Sequence, residues 1–134
     1  MPQQPHFLKP LLKSSAAGLV LRAEGRDVPV ATVIETAFES ATRNRGLLGR
    51  DSLASDVGFV IAPCSAVHTF GMRFPIDLVF AARDGRVLKI RRAVPAFRIA
   101  LALRAFAVIE MAAGSVARSG LREGDRLMVT GRTD

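Results

Sequence analysis

The residues best suited to chemistry lie between positions 64 and 77, in the run Cys64-Ser65-Ala66-Val67-His68-Thr69-Phe70-Gly71-Met72-Arg73-Phe74-Pro75-Ile76-Asp77. Cysteine, histidine and methionine at spacings of four are the soft ligand set that copper prefers. A blue-copper site needs a second histidine, and the other histidine in the chain is His6, far off in the N-terminal segment. A second reading makes Cys64 a nucleophile, His68 its base and Asp77 the group orienting that base, with Arg73 supplying positive potential for the thiolate. On an extended strand, residues four apart are separated by ~13 Å, so this reading needs a turn at Ser65-Ala66. A third reading is structural: His68, Thr69 and Asp77 satisfy one another across neighbouring strands, Arg73 or a pair of backbone amides holds the buried aspartate, and Phe70 and Met72 join the core. In the fourth, the polar groups line a small pocket between apolar strands and bind a polar or anionic ligand. The reading adopted is a small non-catalytic domain that binds a ligand or partner through Cys64, His68, Thr69, Met72, Arg73 and Asp77. A Cys64/His68 enzyme or metal protein is the alternative. No cofactor or metal is expected.

Arginines 43, 45 and 50 cluster around glycines and could grip phosphate or carboxylate through their planar forks. At the end of an expected helix such arginines more often cap its last carbonyls, and that role is favoured over anion binding. The net charge is +7 with 16 arginines, and the stretch Arg83–Arg104 holds seven basic residues against the single acid Asp84. A field of this sign attracts phosphate, anionic lipid or an acidic partner. A nucleic-acid-associated or regulatory factor using this stretch is therefore a further alternative. Weak nonspecific binding is all that is expected, because Trp and Tyr are absent for base stacking and no helix-turn-helix pattern stands out. Glu110 is expected to pair with one of the arginines, and Asp125 to hold a turn. No phosphate-binding glycine loop or HExxH zinc signature is present.

These side chains must be carried by a mainly β framework of α+β class, a sandwich or open barrel of about seven strands and two short helices. Gly18–Ala23, Val28–Ile34, Gly58–Ala62, Val67–Met72, Val87–Arg91, Phe106–Met111 and Leu127–Thr130 read as extended pieces rich in β-formers. Ile76–Ala82 is apolar on both faces except at Asp77, the pattern of a buried central strand. Asp84-Gly85 predicts a hairpin with both turn positions at φ > 0. Ala93–Leu103 is ambiguous between helix and strand. Thr36-Ala37-Phe38-Glu39 fits a capping box opening a helix over Thr36–Arg45, with Gly46 as its αL stop. Ser115–Ser119 reads as one helical turn ended by Gly120, and Gly124-Asp125 as a turn.

Four segments in order, RNRGLLGR (Arg43–Arg50), PCSAVHTFGMRFPIDLVF (Pro63–Phe80), DGRVL (Asp84–Leu88) and EMAAGSVARSGLREGDRL (Glu110–Leu127), resemble domain-of-unknown-function family 192. The resemblance covers roughly residues 28–129. It implies a compact β-rich sandwich or open barrel with a short helix near RGLLGR, and no established activity. Where the better-known form of that family has an aromatic-Met-Lys-Asn-Thr stretch, this chain reads His68-Thr69-Phe70-Gly71-Met72-Arg73. No role is carried over for that stretch.

The chain has 134 residues, 49% of them apolar and 23% charged, which is globular composition and the size of one domain. Its one cysteine excludes an internal disulfide framework and a cysteine-based zinc cluster. The expected organisation is a flexible N-terminal arm over residues 1–15 and a single β-rich domain over residues 16–134. No window reaches the ~18 apolar residues of a membrane span and no signal peptide is recognised, so a cytoplasmic location is expected.

Overall fold

The computed structural model describes residues 6–13 and 16–132. Its centre is a five-stranded sheet whose strands run in the order β2 (Val33–Ala37), β3 (Val57–Ile61), β8 (Ala107–Ala112), β5 (Ile76–Ala81), β6 (Val87–Val94). Only the β2–β3 pair is parallel, and helix α2 (Ser40–Arg45) lies on the connection between them. The other pairs of this sheet are antiparallel. Two smaller ribbons complete the fold: β1 (Leu19–Ala23) with β9 (Leu127–Gly131), and β4 (Ala66–His68) with β7 (Ile99–Leu101). Single bridges, Leu21 with Ala31 and Arg86 with Arg126, join the β1–β9 ribbon to both margins of the sheet. The barrel these contacts outline is left open.

Side chains alternate across a strand, so a sheet covered on both faces needs strands apolar throughout. Every residue of β5 is buried, as its sequence requires. Val79 and Ala81 join Val60, Ile109 and Met111 in a core closed by the β1–β9 ribbon, by α3 (Ser115–Ser119) and by α1 (Pro10–Lys13). Ile76, Leu78 and Phe80 join Phe59, Ile61 and Val108 in a second core on the opposite face. That core is covered by Leu47 from the loop after α2 and by Val67 and Ala100 from the β4–β7 ribbon.

Asp77 ties the two sides of β5 together. Its carboxylate Oδ1 accepts from the Ala93 amide at 2.8 Å, and Oδ2 accepts from the amides of Gly114 at 3.1 Å and Val116 at 3.0 Å. Opposite Asp77, β6 carries one extra residue: Ile76 faces Val94 and Leu78 faces Arg91. Ala93, in this bulge, has φ 49, a conformation that costs an L-residue roughly 1–2 kcal/mol. The carboxylate thus holds a bulge and the start of α3 at once, and its structural role uses backbone amides rather than Arg73, His68 or Thr69.

Several expectations are corrected. Thr36 is the fourth residue of β2, and α2 begins at Ser40 with Glu39 at its cap making no side-chain bond, so the capping box does not form. The β-branched run Val33–Thr36, laddered onto β3, overrides the local capping signal. Gly46 does end the helix at positive φ, but with ψ −131 it is outside the αL region. Val28–Val30 precede the strand instead of forming it, β4 stops at His68, and Ala93–Leu103 resolves into the end of β6 and the short β7. At the β5–β6 hairpin only Gly85 has positive φ. The Gly85 amide donates to Ala82 O at 2.9 Å, which makes a type I turn followed by a glycine bulge in place of the expected mirror-image turn. Glycine is required there for a second reason: a Cβ would collide with Leu127 O. The described residues hold nine strands and three short helices, where seven and two were expected.

Part of the expected N-terminal arm is docked. Leu8 is fully buried, Leu11 nearly so, and the Phe7 amide donates to Arg83 O at 2.8 Å. Two leucines packed in the first core make this segment part of the fold. Residues 1–5 and 14–15 of that arm lie outside the described residues.

Removing the Asp77 carboxylate leaves three amides without their acceptor. Asp77→Ala is expected to cost about 3 kcal/mol or more in urea unfolding. Asp77→Asn, which keeps one carbonyl oxygen for the α3 amides, is expected to cost clearly less. Equal losses for both variants would contradict the bonding pattern described.

Candidate functional site

On the second face of the sheet, the α2 loop and the β4–β7 ribbon leave a gap. An open cavity of about 440 Å³ fills it, lined by Arg43–Leu48, Ile61, Pro63–His68, Met72 and Glu110. Its floor is Glu110, the one acid in strand β8, whose cross-strand neighbours are Phe59 on β3 and Leu78 on β5. Alternation along Ala107–Ala112 puts Glu110 on the side of Val108, away from the first core. The turn that ends α2 sits directly above it: a Cβ added at Gly46 would stand 3.7 Å from Glu110 Oε1.

Glu110 is 5% exposed, and among the described residues its carboxyl makes no hydrogen bond or ion pair. Burial pushes its carboxyl up to about 7. The expected ion pair with an arginine is not made. The arginines within reach of the cavity are committed elsewhere or left at the rim. Arg43 donates through Nη1 to Phe38 O and through Nη2 to Ser40 Oγ, so it braces the start of α2 and not its last carbonyls. Arg45 is exposed at the rim, and its guanidinium makes no hydrogen bond or ion pair among the described residues. Arg50 lies outside this cavity: it pairs with Glu35 at 2.8 Å and stacks over Phe59. The three arginines therefore do not converge on one anion.

The central cluster is divided as well. Cys64, His68 and Met72 line the cavity. Thr69 does not. Its hydroxyl donates to Pro95 O at 2.7 Å and accepts from the Arg98 amide at 2.9 Å, pinning the β4–β7 ribbon to the loop before β7. Arg73 is exposed and pairs with Asp51 at 2.6 Å. Asp77 is on the opposite face of β5, as shown above. A single site containing all six residues does not exist.

The surviving pair gives little support to nucleophilic chemistry. The half-buried Cys64 donates its thiol hydrogen to Ala66 O at 3.2 Å, and burial, followed by the nearby Glu110 charge, pushes that thiol above its ordinary value. A nucleophilic cysteine needs the opposite shift. His68 Nδ1 accepts from the Phe70 amide at 3.3 Å, so the ring is oriented by its own turn. No three His, Cys, Asp or Glu side chains among the described residues are grouped as metal ligands. Glu110 as the cavity floor was not foreseen. Its signal was present in the sequence, a lone acid inside the apolar strand AVIEMA.

Two solved structures share the fold. A protein of unknown function from Novosphingobium aromaticivorans DSM 12444 is 27% identical, with 70% of this chain and 72% of that chain covered and a TM-score of 0.65. A candidate transcription regulator from Sinorhizobium meliloti 1021 is 25% identical, with 83% and 91% covered and a TM-score of 0.70. Comparison with curated proteins finds no match. The pattern of one family, Uncharacterized ACR, is matched over residues 20–129, which spans the β1–β9 ribbon, the sheet and the cavity. The chain belongs to that family, domain-of-unknown-function family 192 (DUF192).

Proposed function

We propose that this is a non-catalytic binding domain whose cavity holds a small polar ligand carrying one anionic group. The observation that carries the reading is the Glu110 carboxyl, buried at the floor of an open cavity with no protein partner. This carboxyl makes no bond within the protein, and a ligand hydroxyl or amide reaching the floor would supply one. At the rim, Arg45 supplies a guanidinium with no protein acceptor, suited to a carboxylate or phosphate on the same ligand. Cys64 and Met72 form a soft, weakly polar wall between the two, and Ser65 adds a polar group. The protonated Cys64 and the separation of Asp77 from His68 favour binding over catalysis.

The test is a thermal-shift screen of the full chain against small phosphates, hydroxy acids, amino acids and sugar acids. A ligand held at about a hundred times its Kd adds about 2.7 kcal/mol, a rise of roughly 5 °C or more. Arg45→Ala and Glu110→Gln are each expected to abolish most of that rise. If no compound raises Tm, or if the rise persists in both variants, the reading fails.

Glu110 also sets a pH dependence. Its folded-state value, about 7, is above the ordinary 4.5, so the folded protein holds this proton more tightly than the unfolded chain. The stabilisation is complete below pH 4.5, declines as pH rises towards 7, and is gone above it. The span corresponds to about 3 kcal/mol. Glu110→Gln is expected to remove this fall from a plot of unfolding free energy against pH. An identical slope in wild type and variant would contradict the assignment.

A further inference from the structure

The outward face of the β4–β7 ribbon is apolar and unpaired. Ala100 and Val67 face the core, so their neighbours in the register, Ile99 and Leu101, face out. Phe97 is 71% exposed, Ile99 63% and Leu103 89%, with Leu101 and Phe70 beside them. Phe70 and Phe97 are in ring contact at 6.2 Å between centroids, which makes the patch continuous across the two strands. Five of the large apolar side chains exposed on the described surface gather at this one place. Such concentration in one place marks an interaction site.

The surroundings specify the partner. Arg91, Arg98 and Arg104 are exposed around the ribbon, Arg91 on the same face of β6 as Lys89, whose Nζ donates to Leu101 O at 2.8 Å. The guanidinium groups of Arg91 and Arg104 make no hydrogen bond or ion pair among the described residues, and that of Arg98 donates to carbonyls of its own loop. Asp84, the one acid between residues 83 and 104, is engaged by the Arg86 amide and the Arg126 side chain. A second copy of this chain placed on the patch would bring two such arginine sets face to face. A nucleic acid would meet aliphatic Ile99, Leu101 and Leu103 where it needs stacking planes or polar groups. An anionic bilayer matches both features: aliphatic and phenyl groups enter the interface while arginines above them reach lipid phosphates.

We propose that the Phe97–Leu103 face docks this domain on the surface of a membrane rich in anionic lipid. It would lie on the bilayer and not cross it, since no helix among the described residues is long and apolar enough to span. The proposal is independent of the ligand reading, although His68, opposite Ile99 in the ribbon, borders both surfaces.

Co-flotation of the full chain with vesicles tests it. The chain is expected to float with phosphatidylglycerol vesicles, to stay in solution with phosphatidylcholine alone, and to be released as salt is raised. The double variant Phe97→Ser/Leu103→Ser changes exposed side chains only and leaves the charge unaltered. It is expected to weaken vesicle binding by about tenfold or more while its Tm stays near that of wild type. Undiminished binding by the variant would show attraction by charge alone and overturn the insertion. Equal binding to both lipids would overturn the role of the arginines. Absence of vesicle binding, with dimers in light scattering or with tight binding to single-stranded RNA, would assign the face to a second copy or to nucleic acid instead.

Discussion

A sheet covered on both faces leaves no neutral ground for a carboxyl group. Each acid within its inner strands must be answered by protein donors or stand at an opening. The two acids in β5 and β8 take these two courses. Asp77 receives three backbone amides and becomes a fastener between the β6 bulge and α3. Glu110, on the other face, receives none, and the chain leaves a cavity over it. The difference follows from strand alternation: one residue's parity directs Asp77 towards a layer with free amides, and the other directs Glu110 beneath the turn at Gly46.

Much of the framework is legible in the sequence because its signals are strong ones. The doubly apolar Ile76–Ala82 run and the Ser115–Gly120 turn speak for themselves, and the four family segments fix their order. The site is less legible. Cys64, His68, Arg73 and Asp77 look like a constellation in one dimension, but parity around Pro75 sends Asp77 to the other face and the Asp51 pair draws Arg73 outward. The wall opposite Cys64 comes from α2 and β8, far away in the chain, and nothing local announces that meeting. The failed capping box at Thr36 has the same origin, a long-range ladder to β3 outweighing a local preference.

The cavity and the basic ribbon are neighbours because β4 serves both. Its inward residue Val67 covers the second core, its His68 borders the cavity, and its partner strand carries the exposed apolar face. Thr69 ties the end of β4 to the loop before β7 through Pro95 and Arg98, while Val67 and Ala100 seat the ribbon on the sheet. The binding cavity and the outward face are two uses of one short ribbon.

The proposed ligand site rests on the Glu110 carboxyl being buried without a protein partner. Carbon-13 NMR of the selectively labelled glutamate carboxyls, assigned with Glu110→Gln, follows that group alone as pH is varied. The account predicts a midpoint at about 7 for Glu110. A midpoint at or below the ordinary 4.5 would show a carboxylate already held by protein donors or open water, and the cavity would lose its floor.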